Sequence, residues 1–220
     1  MKWFMIFAKI DFINLLPFYI FIKKNIQSSQ IKQIINYKKS YPSVINKQFK
    51  KRSIDAAFIS SIKSKRCKCL DLGIVAKKEV LSVLALKGEF KKDQQSDTSN
   101  ALAVALDIKG EILIGDKALH YYHNSDNKDF VDLAEYWNDK YNLPFVFARL
   151  CFNKEKKYLE KLSKKFLATN VKIPQYILKQ YANKTNLSTK QIQEYLIKIS
   201  YKISYKEKQS LKLFFKLTNT

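Results

Sequence analysis

An α/β architecture is predicted by three features of the sequence. Short apolar runs end abruptly on small polar residues, segments of helical periodicity alternate with those runs, and the chain after about residue 149 carries helical stripes. The clearest run is Ile54-Asp-Ala-Ala-Phe-Ile-Ser-Ser61, a strand that stops on two hydroxyl side chains. In open α/β sheets ligands gather beyond the carboxyl ends of strands, so Ser60 and Ser61 stand where a small molecule would be held.

The elements follow in order. Phe4 to Phe12 reads as a strand, and Ile13 to Phe18 as a turn into a helix, with Pro17 tolerated in the first turn. Ile31 to Tyr37 reads as a second strand and Pro42 to Lys50 as a helix feeding the Ile54 strand. Strand, helix, strand, helix, strand is the start of a parallel sheet. Val80 to Leu86 is an apolar strand carrying Ser82, followed by the polar run Gly88 to Ser96. That shift in composition places a crossing between two lobes near residues 84 to 88. Ser99 to Asp107 reads as a helix and Glu111 to Asp116 as a strand. Phe130, Leu133, Ala134 and Trp137 give Asp129 to Lys140 an amphipathic stripe, so Trp137 belongs to the core. Leu143 to Ala148 is a buried strand returning between the lobes. The expected division is therefore residues 1–84 in lobe 1, 85–148 in lobe 2, and 149–220 returning to lobe 1. In this last part Leu159, Leu162 and Phe166 mark one helix, and Ile192, Tyr195, Leu196 and Ile199 another. Capping boxes at Ser188 to Gln191 and Ser204 to Glu207 open the last two helices.

With 220 residues and 46% hydrophobic residues the chain is long and apolar enough for a core. The net charge of +22 invites a nucleic-acid reading. However, the only arginines are Arg52, Arg66 and Arg149, and bidentate recognition of bases and phosphates prefers arginine. The lysine excess argues instead for solvated surface whose field draws in a small anion. Cys67, Cys69 and Cys151 fall in no recognised ligand spacing and read as free thiols. His120 and His123 share a helix face without a third ligand, so no metal is expected. The N-terminal residues lack a secretory pattern and no segment approaches a membrane span, so a cytoplasmic protein is expected.

The candidate site residues are hydroxyls and amides. Thr98 and Ser99 precede the apolar run from Ala101 and read as the cap of a helix whose N–H groups favour an anion. The hydroxyl pairs Ser60/Ser61 and Thr98/Ser99 then either face each other across a cleft or serve only as turn and cap. Asn14, in a strand-to-helix loop, can contact a carboxylate and a hydroxyl at once, or form an Asx turn. Asp116, at the end of a strand, can cap the next helix, position a substrate hydroxyl or pair with a lysine, capping being the leading reading.

Phe12 to Phe18, Ile54 to Ser61, Val80 to Val83, Thr98-Ser99, Ile112 to Leu119, and Asp132 to Trp137 with Leu143 to Ala148, taken in order, resemble the chorismate dehydratase family of the futalosine pathway to menaquinone. The resemblance is collinear from about residue 9 to 150. It implies a two-lobed fold like type II periplasmic binding proteins, with a helical C-terminal segment. It also implies removal of water from chorismate without a cofactor, in a cleft using Asn14 as catalytic residue and Ser60, Ser61, Ser82, Thr98, Ser99 and Asp116 as substrate contacts. The chain departs from the family at Leu15, Ser64 and Lys78, and is shorter between Ser99 and Ile112. A non-enzymatic small-anion-binding protein of the same fold, and a basic nucleic-acid module, are the rival readings.

Overall fold

In the computed structural model, which describes residues 5–25, 39–126 and 129–219, two antiparallel sheets hold the chain. A 3₁₀ turn, Ile13–Leu15, leads into α1 (Leu16–Asn25), and α2 (Pro42–Lys50) feeds β1 (Ala56–Ser60). β1 runs into a single helical turn, α3 (Ser61–Ser64), and then β2 (Cys69–Ala76). Next come β3 (Val83–Leu86), α4 (Asp97–Ala105), β4 (Glu111–Ile114), α5 (Gly115–Asn124), β5 (Phe130–Asp132) and α6 (Leu133–Tyr141). β6 (Phe145–Phe152) returns, and the chain ends with α7 (Lys156–Leu167), α8 (Gln175–Thr185), α9 (Thr189–Ile197), β7 (Ile199–Lys202) and α10 (Tyr205–Leu217).

The first sheet has the order β1-β6-β2-β7 and the second β4-β3-β5. The chain passes between them twice, after Ala76 and again before Phe145. Every pairing between these strands is antiparallel, which corrects the parallel sheet expected from the sequence. The reason is topological: β6, coming back from the second sheet, inserts between β1 and β2 and runs against both. The N-terminal run expected as a strand makes only isolated parallel bridges, Phe7 with Ala56 and Lys9 with Lys39. The expected strand Ile31 to Tyr37 lies outside the described residues.

Burial explains the sequence of β1. All five of its residues are buried, because α2 lies against the strand and the aromatic cluster of Phe18, Phe58 and Phe166 fills the space beneath. Phe18 meets the other two rings edge-on at 5.0 and 5.1 Å, the geometry favoured by ring quadrupoles. Trp137 is fully buried, as expected, and donates its indole N–H to Ser210 Oγ at 3.0 Å.

Four further expectations are revised. The strand expected from Val80 begins only at Val83, because Asp132 captures the Val80 and Leu81 N–H groups at 2.8 and 2.6 Å and Leu81 adopts a left-handed φ of 58°. Helix α6 begins at Leu133, not Asp129. Phe130 to Asp132 pair with β3, and the Asp132 carboxylate caps α6 by accepting from Ala134 and Glu135. The C-terminal part is not wholly helical, since β7 adds a strand to the first sheet. Finally, Cys69 and Cys151, expected as free thiols, form a disulfide; they are direct cross-strand partners in β2 and β6, leaving Cys67 as the free cysteine. Both C-terminal capping boxes are present.

Candidate active site

Ser60 sits at the end of β1, where the strand turns into α3. Asn46 of α2 grips it twice, donating from Nδ2 to Ser60 Oγ at 2.9 Å and accepting the Ser60 N–H at 3.2 Å. The same Nδ2 reaches Asp97 in the first turn of α4, so Asn46 joins the two sheets' helices beneath the hydroxyl. Because Ser60 Oγ accepts from Asn46, its own proton remains available for donation.

Ser60 lines a cavity between the two sheets. Asn14 and Phe12 come from the N-terminal segment, Phe58 from β1, Phe147 and Ala148 from β6, Ser82 from the crossing, Ser96 and Ser99 from the start of α4, and Gly115 from the start of α5. None of the lining residues carries a charge, so the lysine excess lies elsewhere. A larger open groove formed by Pro17, Lys77 to Glu79 and residues of α9 and β7 contains none of the expected site residues.

The expected residues therefore divide. Asn14, Ser60, Ser82 and Ser99 converge on the cavity, and Ser61, Thr98 and Asp116 do not line it. Ser61 is fully buried and donates to the Val146 carbonyl, while Thr98 Oγ1 accepts the Ile62 N–H at 3.3 Å and so ties α4 to α3. The cap of α4 is Ser96, not Thr98 or Ser99: its Oγ accepts the Ser99 N–H at 3.1 Å and is bonded to Ser99 Oγ at 2.8 Å. Asp116 makes no capping bond to α5. Its Oδ1 is buried without a hydrogen-bond partner among the described residues, and burial raises its carboxyl above the usual range.

Gly115 is required where it stands. Its φ is +59°, its N–H is held by the Ser82 carbonyl at 2.8 Å, and a Cβ there would lie 3.3 Å from the edge of the Phe12 ring. The tight strand-to-helix turn thus leaves room for the cavity wall.

Two tyrosines from the C-terminal elements reach the polar residues of the cavity, and one of them, Tyr195, lies on the helical stripe with Ile192 that the sequence assigns to the core. Tyr201 of β7 donates to the Asn14 carbonyl at 2.7 Å. Tyr195 of α9 is buried, and its hydroxyl is hydrogen-bonded to Ser82 Oγ at 2.9 Å. Burial drives its phenol well above the ordinary range, so it stays protonated. Asn14 Oδ1 is itself buried with no partner among the described residues.

The family model for menaquinone biosynthesis matches residues 95–220. A chorismate dehydratase from Campylobacter jejuni subsp. jejuni serotype O:23/36 (strain 81-176) is 49% identical over 216 residues, covering 96% of each chain. The chain belongs to the chorismate dehydratase family. Of solved structures, protein AF1704 from Archaeoglobus fulgidus superposes with a TM-score of 0.68 at 12% identity, covering 97% of this chain and 96% of that one. An ABC transporter from Parabacteroides distasonis gives a TM-score of 0.59 at 14% identity, covering 99% and 92%. At such identities these likenesses carry the fold alone: α/β, two sheets crossed twice, the periplasmic-binding-protein-like arrangement that the family resemblance implies. Among the described residues no helix is long and apolar enough to cross a membrane, and no group of three or more His, Cys, Asp or Glu side chains is placed to hold a metal.

Proposed function

We propose that this chain eliminates water from chorismate to give 3-[(1-carboxyvinyl)oxy]benzoate, in a cleft between two lobes that are each built on one sheet. Family membership supports the reaction, and the observation that carries the mechanism is the uncharged lining of the cavity. Chorismate brings two carboxylates and a hydroxyl on a ring. Ser60, Ser82, Ser96, Ser99 and Asn14 offer neutral hydrogen-bonding groups for them, and Phe12, Phe58 and Phe147 offer apolar walls for the ring. Each hydrogen bond to a charged carboxylate contributes about 1.5–3 kcal/mol.

The reaction needs a base, and none of the lining side chains titrates near neutral pH. The substrate's own enolpyruvyl carboxylate, folded over the ring, takes the proton from the ring carbon that bears the ether. The released C–H electron pair becomes the new ring double bond, the neighbouring C–O bond breaks, and the departing hydroxide takes up a proton as water. The balance is redox-neutral. Holding base and proton together in this way supplies several kcal/mol of the barrier, within the roughly 7–11 kcal/mol attainable by intramolecular positioning.

Incubation with chorismate should yield a new aromatic absorbance and a product lighter by one water. Unchanged chorismate, together with steeply salt-dependent DNA binding, would instead support a basic nucleic-acid module. Asp116 gives a second check on the base. Asp116→Asn should retain turnover; complete loss of turnover with product binding intact would make Asp116 the base and end the substrate-assisted account.

A further inference from the structure

Asn46 lies in α2, is buried, and does not itself line the cavity. We infer that Asn46 is a positioning residue that makes Ser60 a hydrogen-bond donor toward a substrate carboxylate and joins that hydroxyl to the second lobe through Asp97. The inference rests on the dehydratase reading above and assigns the chemistry of one of its contacts.

The neighbours of the Asn46 amide decide which end points where. One end faces the Ser60 N–H at 3.2 Å, a group that can only donate, so Oδ1 stands there. The other faces a carboxylate oxygen of Asp97 at 3.2 Å, which accepts, so Nδ2 stands there. Turning the amide over would set donor against donor at Ser60 and oxygen against carboxylate at Asp97. Nδ2 has two protons, and the one not given to Asp97 goes to Ser60 Oγ at 2.9 Å. Ser60 Oγ is therefore an acceptor toward Asn46, and its own proton finds no acceptor among the described residues. Because Ser60 lines the cavity, that proton is directed at what the cavity holds.

Elements of both lobes meet at this amide. Helix α2 packs on β1 of the first sheet, whereas Asp97 opens α4, which packs on β4 of the second. Thr98, the next residue, accepts the Ile62 N–H from α3, so two neighbouring residues of α4 hold it against the end of β1. The direction of the Ser60 hydroxyl is thus set jointly by the two lobes. A hydroxyl that cannot turn its proton back into the protein disfavours donor groups and favours an oxygen anion, for which hydrogen bonds are strongest.

The test exchanges the two side chains. In Asn46→Asp the carboxylate at position 46 cannot donate, takes the Ser60 proton for itself and faces the carboxylate of Asp97. Its Tm should fall, and calorimetry should show at least tenfold weaker binding of 3-[(1-carboxyvinyl)oxy]benzoate, with kcat/KM for chorismate falling alike. In Asn46→Asp/Asp97→Asn the amide at position 97 donates back to position 46 and the net charge equals that of wild type, so most of the lost Tm should return. Affinity should nevertheless stay about tenfold below wild type, because the Ser60 proton is still spent inside the protein. A residue that only braced the fold would recover Tm and affinity together, and that outcome would overturn the inference. In a Ser60→Ala background the exchange should cost less than about twofold in affinity, since the donor is already gone, and full additivity would also overturn it. If Asn46→Asp alone does not fold, the exchanged pair and wild type, each with and without Ser60→Ala, carry the same comparison; an exchanged pair that does not fold counts against the amide's orientation. Wild-type protein that neither turns over chorismate nor binds the product would remove the dehydratase reading instead. The orientation would then still be decided by Tm, and an exchanged pair no more stable than Asn46→Asp would refute it.

Discussion

Asp11 offers the most quantitative prediction. It lies three residues before Asn14 and ties that segment to α8 through Tyr181 Oη at 2.9 Å and Lys184 Nζ at 2.7 Å, with Lys39 at 2.6 Å and Lys9 at 3.5 Å. Burial alone would raise its carboxyl, but the bonds from Lys184, Lys39 and Tyr181 together hold it well below the usual carboxylate range. Lys39 and Lys184 are half exposed, so each is worth only about 0.2–1 kcal/mol. The partly buried tyrosine bond to a charged carboxylate adds about 1.5–3 kcal/mol. Asp11→Asn keeps an amide oxygen for the Tyr181 hydroxyl and loses the ion pairs with the charge-assisted part of that bond, so it should destabilise by about 2–3 kcal/mol at neutral pH, a fall in Tm of about 5–10 °C for a chain of this length. Because the folded pKa lies below the unfolded value, the stabilisation is fully present above pH ~4 and is lost as pH falls through the folded pKa. The wild-type and Asp11→Asn melting curves, recorded from pH 7 downward, should converge in acid. A Tm gap of equal size at pH 7 and pH 2.5 would refute the ionic account of this cluster.

Asn14→Asp should abolish most turnover, since it replaces an amide with a negative charge beside the substrate carboxylates. Steady-state kinetics would show the loss mainly in kcat, and near-normal turnover would remove Asn14 from the site. Gly115→Ala should raise KM for chorismate by tenfold or more, about 1.4 kcal/mol, because its Cβ strains a left-handed backbone and presses on Phe12; unchanged kinetics would show that the cavity lies elsewhere. Asp132→Ala should cost about 3–5 kcal/mol in urea unfolding. It removes an N-cap and leaves the buried Val80 and Leu81 N–H groups unpaired, and a loss below about 1 kcal/mol would contradict this.

The site was partly legible in the sequence because strand ends announce themselves. Ser60 follows an unbroken apolar run, Asn14 precedes a proline in a first helical turn, and Ser99 stands before an apolar helix; all three line the cavity. Ser61 and Thr98 carry the same local signal, yet their hydroxyls face the protein interior. A one-residue step along the chain decides which way a side chain points, and composition does not record it. Asn46 and Tyr195 were not legible, since their importance arises from partners 14 and 113 residues away. Tyr195 in particular falls on a helical stripe with Ile192, where an aromatic residue reads as core, and it is buried there as well. The strand order was lost for a related reason. Local periodicity marks β1, β2 and β6 but is silent on the insertion of β6 between the other two.

The Asp132 carboxylate has a mechanical meaning as well as a stabilising one. With one oxygen it holds Val80 and Leu81 in the first crossing, and with the other it anchors the start of α6, a helix of the second sheet. Bending at Val80 or Leu81 would break short, buried bonds to a carboxylate, so this part of the crossing travels with the second sheet as one rigid piece. Any rotation of one sheet against the other must be taken up before it, across Lys77 to Glu79, where the side chains reach solvent and the Glu79 to Lys198 ion pair at 2.6 Å spans to α9 and its end. Ser82, just beyond the anchored residues, belongs to that rigid piece, and the 2.9 Å bond between its Oγ and the Tyr195 hydroxyl ties the piece to α9 on the far side of the crossing.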